Sequence, residues 1–310
     1  MPVKKFANVN ILKRKEHFSM KKTSILFSKV VIGIAVLVLI INPLTGCSSK
    51  VELEKSAITE NIEGSNTNLE LVSVAIEDVD DTGYLVLVNL QHTLLAEFDE
   101  DKYVQVLSFV PTAPVGVQDM YLHPSAMTAY VEMRKAAGKA GVEFLGVSSG
   151  FRSTDEQREL YYGSADSDYV LPRGHSEHLT GLAVDITIQG ISGAEFGNSS
   201  GGRWIADNAY KFGLILRYPE GAEAVTGINY EPWHFRYVGS VHAYYMKQNN
   251  LVLEEYIQLI QEQGSLYFEK DGVTYYILYQ VPQNGMIDLP DGLDFIISSD
   301  NTGGYIVTAW

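Results

Sequence analysis

Glycine and proline divide the chain between about residue 120 and residue 264 into segments with distinct hydrophobic rhythms. Pro124 to Ala140 reads as a helix, with proline at its start and Gly141 just past its end. Val142 to Val147 is apolar enough for a strand. Ser153-Thr154-Asp155-Glu156 is a capping-box pattern, so a short helix should follow and end near Gly163. From Gly181 to Ile186 the pattern alternates strictly. Leu182, Val184 and Ile186 share one strand face, and Gly181, Ala183 and Asp185 share the other. Trp204 to Phe212 reads as a helix closed by Gly213, and Leu253 to Gln263 as one stopped by Gly264. Trp233, Phe235 and Tyr237 alternate with His234 and Arg236, which gives a second strand with one polar face. Upstream, Tyr84 to Val88 is a short β-type run. Tyr267 to Trp310 is aromatic and β-branched, with Gly, Pro and Asn turns, and reads as a β appendage of two to four strands.

These elements predict an α+β fold: a small, mostly antiparallel sheet with helices on one side, a groove at the sheet, and a short C-terminal β appendage. The expected boundaries are 71–263 for the main domain and 264–310 for the extension. No repeat of fixed period is visible in the sequence.

The first 70 residues follow a different logic. Lys21, Lys22 and Lys29 precede an uncharged apolar run from Val30 to Ile41. That run is too short to span a bilayer, which needs roughly 18–20 residues, but it has the proportions of a signal-peptide core. Leu44-Thr45-Gly46-Cys47 follows and resembles the bacterial lipobox, whose cysteine is lipidated and becomes the new N-terminus after cleavage. Residues 1–46 are therefore expected to be a signal peptide, and 47–70 a lipidated, polar tether. The expected address is the outer face of the bacterial cell membrane, with the bilayer as a partner through Cys47. The competing reading is an uncleaved anchor with an incidental cysteine. Met20 opens a normal signal sequence and competes with Met1 as the start.

Charge and cysteine count narrow the chemistry. The net charge is −15, and without residues 1–46 the remaining 15 Lys/Arg stand against 37 Asp/Glu, a net of −22. Such a chain repels nucleic acid, and no basic patch or nucleic-acid motif is found. No obligate protein partner is evident. Cys47 is the only cysteine, so there is no internal disulfide and no thiolate-rich zinc site. Any metal must be held by histidine and carboxylate.

Hydrolytic zinc has three protein ligands and an open position for water. His178 and Asp185 sit seven apart, one before and one within the first strand, and His234 lies on the second. Glu231 comes three residues before His234, with Pro232 between them disfavouring a continuous helix. A turn there can aim its carboxylate at a metal-bound water without making it a ligand. Each residue alone has a plainer reading. A lone histidine is more often a core or surface residue, and Asp185 could simply accept backbone donors. His92, His123, His175 and His242 show that histidine is not scarce. His175 is expected to line the site or be exposed.

The joint pattern is more specific. Ser176-Glu177-His178-Leu179-Thr180-Gly181-Leu182-Ala183-Val184-Asp185 fits Ser-x-His-x-x-Gly-x-Ala-x-Asp, and Glu231-Pro232-Trp233-His234 fits Glu-x-x-His. Both resemble the signatures of the zinc D-Ala-D-Ala carboxypeptidase and dipeptidase superfamily, and within it the VanY-type D,D-carboxypeptidases. The similarity runs from about Tyr121 to Val252. It includes Ser149 to Ser153, Ile215 to Pro219 and Tyr230 to Gly239, with a weaker echo in Tyr305 to Thr308. The resemblance implies one zinc ion held by His178, Asp185 and His234. It implies that Glu231 takes a proton from the zinc-bound water and passes it to the leaving amine. Arg152 would stabilise the oxyanion, its plainer reading being a surface salt bridge worth at most ~1 kcal/mol. Gln157 and Ser176 would help hold the substrate's terminal carboxylate. The implied substrate is a peptidoglycan stem peptide ending in D-Ala-D-Ala, with a role in glycopeptide resistance. The alternatives are an L,D-carboxypeptidase of tetrapeptides, a D,D-dipeptidase, which an outer location disfavours, and a non-catalytic wall-peptide binding module, which would not need Glu231.

Overall fold

Two antiparallel four-stranded sheets organise the described part of the computed structural model, residues 69–96, 99, 101–164, 169–188 and 190–310. The signal-type segment, Cys47 and nearly all of the tether lie outside the described residues.

The chain enters through β1 (Leu71–Ala75) and reaches the short pair β2 (Val104–Gln105) and β3 (Tyr121–Leu122), with α1 (Val106–Phe109) between them. Next come α2 (Pro124–Lys139), β4 (Leu145–Ser149), α3 (Thr154–Gly163), β5 (Ala183–Ile188), α4 (Ala194–Asn198) and α5 (Ser200–Asn208). The first large sheet is completed by β6 (Leu214–Leu216) and, after α6 (Glu223–Thr226), by β7 (His234–Tyr237); its strand order is β4-β5-β7-β6. Helices α7 (Ser240–Asn249) and α8 (Leu253–Gln263) lead to β8 (Ser265–Lys270), β9 (Val273–Gln280), β10 (Met286–Pro290), β11 (Phe295–Ser299) and β12 (Tyr305–Ala309).

The alternation read in the sequence decides which face of the first sheet is covered. Val184, Ile186 and Phe235 are fully buried in one core with Met127, Tyr130 and Met133 of α2 and Ile205 of α5. The opposite face carries Asp185 and His234. The C-terminal segment supplies five strands, more than the two to four expected. Four form the second sheet in the order β11-β12-β9-β8, and β10 pairs with β1. A second core joins that sheet to α7 and α8 through Ile277, Ile306, Tyr256 and Ile260.

Three expected elements are corrected. Tyr84 to Val88 forms no strand, because its backbone groups are engaged elsewhere. The amide of Leu85 donates to Ser298 Oγ and that of Leu87 to Asp300 O, while the carbonyls of Tyr84 and Val86 accept from Arg236 Nη2. The strand expected from Val142 begins at Leu145. The amide of Val142 donates back to Ala137 O and closes the end of α2, and Phe144 follows in a left-handed turn at φ 57°. The helix expected from Trp204 starts at Ser200, where Ser199 Oγ accepts from the Gly202 amide, and it tightens to a 3-10 turn over Ala209–Phe212. The other helix boundaries agree: Ser153 and Glu156 form the reciprocal capping box of α3, and α8 stops at Gly264.

His242 joins the two halves. From α7 its ring contacts Tyr256 Oη of α8 at 2.7 Å and Thr308 Oγ1 of β12 at 3.0 Å. Burial pushes its pKa down to about 3, far below the ordinary value of 6.5. The unfolded chain therefore binds a proton that the folded chain refuses. Stability from this residue is intact above about pH 6.5 and is lost as pH falls toward 3, at about 1.4 kcal/mol per pH unit. Denaturant titrations at pH 7, 6, 5 and 4 on the unaltered chain and on His242→Gln should differ by that slope, the variant losing less stability for each unit that the pH falls.

Candidate active site

The pairing of β5 with β7 sets Asp185 directly opposite His234, and the pairing of β4 with β5 sets Ser149 opposite Asp185. Side chains paired in this way lie about 5 Å apart on one face. His178 joins them from a 3-10 turn, Glu177–Thr180, that immediately precedes β5. That turn needs glycine at its end. Gly181 has φ 68°, and a Cβ there would meet Tyr103 Cε1 at 2.5 Å. Glu231 is fixed by two backbone bonds, its amide donating to Tyr218 O and its carbonyl accepting from the His234 amide.

His178, Asp185 and His234 each offer one ligand atom, all within 4.8 Å of one another. His234 Nδ1 lies 2.9 Å from Asp185 Oδ1, and His178 Nε2 lies 3.4 Å from Asp185 Oδ2. Tetrahedral zinc with bonds near 2 Å places its ligand atoms ~3.3 Å apart, so the spacing suits that ion. The bonding of His178 fixes its tautomer. Its Nδ1 lies 2.7 Å from Gly150 O, and a carbonyl only accepts, so Nδ1 carries the hydrogen and Nε2 presents a lone pair. Asp185 Oδ1 is buried and makes no hydrogen bond among the described residues. An orphaned carboxylate oxygen beside two histidine nitrogens is what a cation site requires.

The electrostatics point the same way. Burial alone would raise Asp185, yet His178 and His234 hold it well below the usual carboxylate range. Burial would lower His234, yet the carboxylates of Asp185 and Glu177 carry it up to about 10. A histidine so reluctant to lose its proton marks a pocket short of positive charge, which a divalent ion would supply. Glu231 behaves oppositely to Asp185. Burial pushes it up to about 7, against the pull of His234 and with the help of Asp185. Its Oε2 lies 3.7 Å from His234 Nδ1.

These groups open into a cavity of about 190 Å³, with room for a peptide end rather than a folded partner. Arg152, Gln157 and Ser176 all line it, beside an apolar wall that includes Leu171, Tyr218, Ile228 and Trp233. Arg152 stands at the junction of β4 and α3 and donates to Gln157 Oε1 at 2.7 Å and to Ser149 Oγ at 2.9 Å. Gln157 is almost fully buried, and both ends of its amide are occupied, since its Nε2 donates to Leu171 O. It thus braces the guanidinium and the following loop. Ser176 Oγ accepts from the His178 amide at 3.4 Å, capping the turn that carries the ligand. His175 neither lines the cavity nor stands free: it is half-buried, with Nδ1 against Asn89 O at 2.8 Å.

Sequence reasoning passed over one residue here. Glu177, an unspecified position in the motif, is fully buried and receives Arg217 Nε at 2.8 Å and Arg236 Nη1 at 2.9 Å on one oxygen. Burial would raise it, but the two guanidiniums hold it well below the usual carboxylate range. A signal existed: Arg236 shares the polar face of β7 with His234, and an arginine beside a buried histidine needs an acid.

A family model described as VanY, D-alanyl-D-alanine carboxypeptidase, matches residues 119–240. Along the chain as a whole, a D-alanyl-D-alanine carboxypeptidase of Enterococcus faecium is 36% identical over 265 residues, covering 84% of each protein. The chain belongs to the VanY family of D-alanyl-D-alanine carboxypeptidases. Among solved structures, the vancomycin-resistance D,D-dipeptidase VanXYg, bound to a D-Ala-D-Ala phosphinate analogue, superimposes with a TM-score of 0.64 at 26% identity. It covers 78% of this VanY-family chain and 99% of its own. The LD-carboxypeptidase LdcB superimposes with a TM-score of 0.51 at 36% identity, over 56% of this chain and 86% of its own.

The fit of the site to zinc has a thermal signature. Zinc at a hundredfold excess over its dissociation constant should add ~2.7 kcal/mol of stability, a rise in Tm of roughly 5–10 °C. A chelator should reverse the rise. Asp185→Asn should abolish it, whereas Glu231→Gln, which alters no ligand, should keep it.

Proposed function

We propose that this chain is a zinc-dependent D,D-carboxypeptidase that removes the terminal D-Ala from peptidoglycan stem peptides ending in D-Ala-D-Ala. The observation that carries this reading is the placement of Glu231 and Arg152 in one cavity with the His178, Asp185 and His234 cluster. The E. faecium relative bears the corresponding name over most of its length.

Zinc held by His178, Asp185 and His234 would supply Lewis acidity, bringing the pKa of water toward ~7 and polarising the scissile carbonyl. The remaining work belongs to the chain. Glu231 lines the cavity beside the proposed ligands, and burial favours its protonated form, so it is suited to accept a proton from the attacking water and return it to the departing amine. Arg152 contributes a permanent positive charge toward the oxyanion that forms, and its bonds to Gln157 and Ser149 pre-set its direction. Leu171, Tyr218 and Ile228 form a small apolar cluster suited to the methyl groups of alanine. Ser176 lines the same cavity, and its hydroxyl, which accepts from the His178 amide, keeps a hydrogen to donate to a substrate carboxylate. Loss of the terminal D-Ala removes the target of vancomycin-type antibiotics, which links this activity to glycopeptide resistance.

The purified chain with zinc and a stem pentapeptide ending in D-Ala-D-Ala should release D-Ala, and should do so faster than from the matching tetrapeptide. Glu231→Ala should lower turnover by ~10²–10⁴-fold while zinc content is unchanged. A folded, zinc-loaded protein that released nothing would refute the reading, and faster release from the tetrapeptide would reassign it as an L,D-carboxypeptidase.

The address rests on the sequence: three lysines, a short apolar run, and Leu44-Thr45-Gly46-Cys47. Lipidation of Cys47 would tether the enzyme on the outer face of the membrane, beside its substrate. Cells expressing the unaltered chain should incorporate labelled fatty acid into it and retain it in the membrane fraction. Cys47→Ala should lose the label.

A further inference from the structure

The geometry points to Glu177 as the positioning residue for His234: its free carboxylate oxygen faces the Nε2–H of that ring and, on a small closure, accepts it, turning Nδ1 toward Asp185 and Glu231. This rests on the reading of His234 as a zinc ligand.

The two oxygens of Glu177 are used unequally. Oε1 receives both guanidiniums, Arg217 at 2.8 Å and Arg236 at 2.9 Å. Oε2 is buried and lies 3.7 Å from His234 Nε2, which is itself buried, and neither atom makes a hydrogen bond among the described residues. A buried acceptor and a buried donor therefore face each other, and a small closure satisfies both. An ion pair serving only to neutralise Arg217 and Arg236 would explain Oε1 and leave Oε2 without a task. The opposite edge of the ring faces the proposed ligand set, with Nδ1 2.9 Å from Asp185 Oδ1, so as a ligand Nδ1 keeps its lone pair and Nε2 carries the hydrogen. His178 shows the same design with a different acceptor, its outer nitrogen bonded to Gly150 O. The two rings are thus held from behind by a neutral carbonyl and by a carboxylate. The carboxylate makes His234 the more basic ligand.

Glu177→Gln separates this role from simple charge pairing. The amide must keep its oxygen toward the two guanidiniums, which leaves its NH2 against the Nε2–H of His234. Glu254→Gln is the control. Glu254 pairs with the same Arg217, through contacts of 2.8 and 2.6 Å, but does not face the histidine. In chelator competition on the full chain, Glu177→Gln should bind zinc about 10–100-fold more weakly, while Glu254→Gln should match the unaltered chain. No loss in Glu177→Gln, or an equal loss in both variants, would overturn the role. Should Glu177→Gln not fold, the zinc-loaded unaltered chain decides by nitrogen-15 NMR of its histidine rings, with His234 assigned by its absence in His234→Gln. A slowly exchanging hydrogen on Nε2 of His234 is expected. A hydrogen on Nδ1, or one on Nε2 that exchanges as fast as those of exposed histidines, would overturn it. Failure of the unaltered chain to bind zinc would be a separate result, removing the zinc reading itself and this role with it.

Discussion

Everything at the site depends on the register between β5 and β7. The side-chain period of a strand is two, so a slip of one residue by β5 would turn Asp185 into the core and bring Val184 into the groove, and a slip by β7 would do the same with His234 and Phe235. The apolar face prevents this. Val184, Ile186 and Phe235 are fully buried against α2 and α5, and moving carboxylate and imidazole into that layer would cost several kcal/mol for each unpaired polar group. Backbone bonds at the ends pin the same register, the amide of Ile186 donating to Trp233 O and that of Tyr237 to Leu182 O. Hydrophobic packing on one side of the sheet thereby sets the distance between ligands on the other.

The charges under that face need a separate account. Glu177, Arg217 and Arg236 are all fully buried, and burying ions is a weak route to stability even when they are paired. Removing one partner of such a set typically costs ~3–5 kcal/mol, whereas well-packed apolar residues in its place often cost nothing. Their presence is better explained by what they hold. Ala183 lies opposite Arg236 in the β5–β7 register, and its small side chain leaves room on that face for the guanidinium. The small residue before Asp185 in the motif thus has a steric purpose as well as leaving space for an ion.

The sequence made one half of this arrangement legible and hid the other. Period-two alternation revealed both strands and the side of each that faces the groove, because burial on one face writes itself directly into residue type. The capping box at Ser153 and the glycines at 181, 213 and 264 marked the ends of elements, because their conformations admit few other residues. Tyr84 to Val88 misled for a physical reason. Its apolar residues are buried as a strand's would be, but its hydrogen-bonding groups go to Arg236, Ser298 and Asp300, partners over 140 residues away. Glu177 was hidden similarly. Its role comes from Arg217 and Arg236, which reach it from separate strand regions, and no local pattern reports such a convergence.

The same ion pairs connect the C-terminal segment, 264–310, to a cavity that it does not line. Arg217 is held on its far side by Glu254 of α8, and Glu254 in turn accepts from Asn89 Nδ2. Helix α8 is seated by Tyr256 and Ile260 in the core it shares with β8, β9 and β12, and His242 ties α7 to both α8 and β12. The path from Thr308 to His234 therefore runs through packed side chains and ion pairs without a break. An extension that only decorated the surface would have no reason to bury a histidine between a tyrosine and a threonine. By fixing α8, the second sheet fixes Glu254.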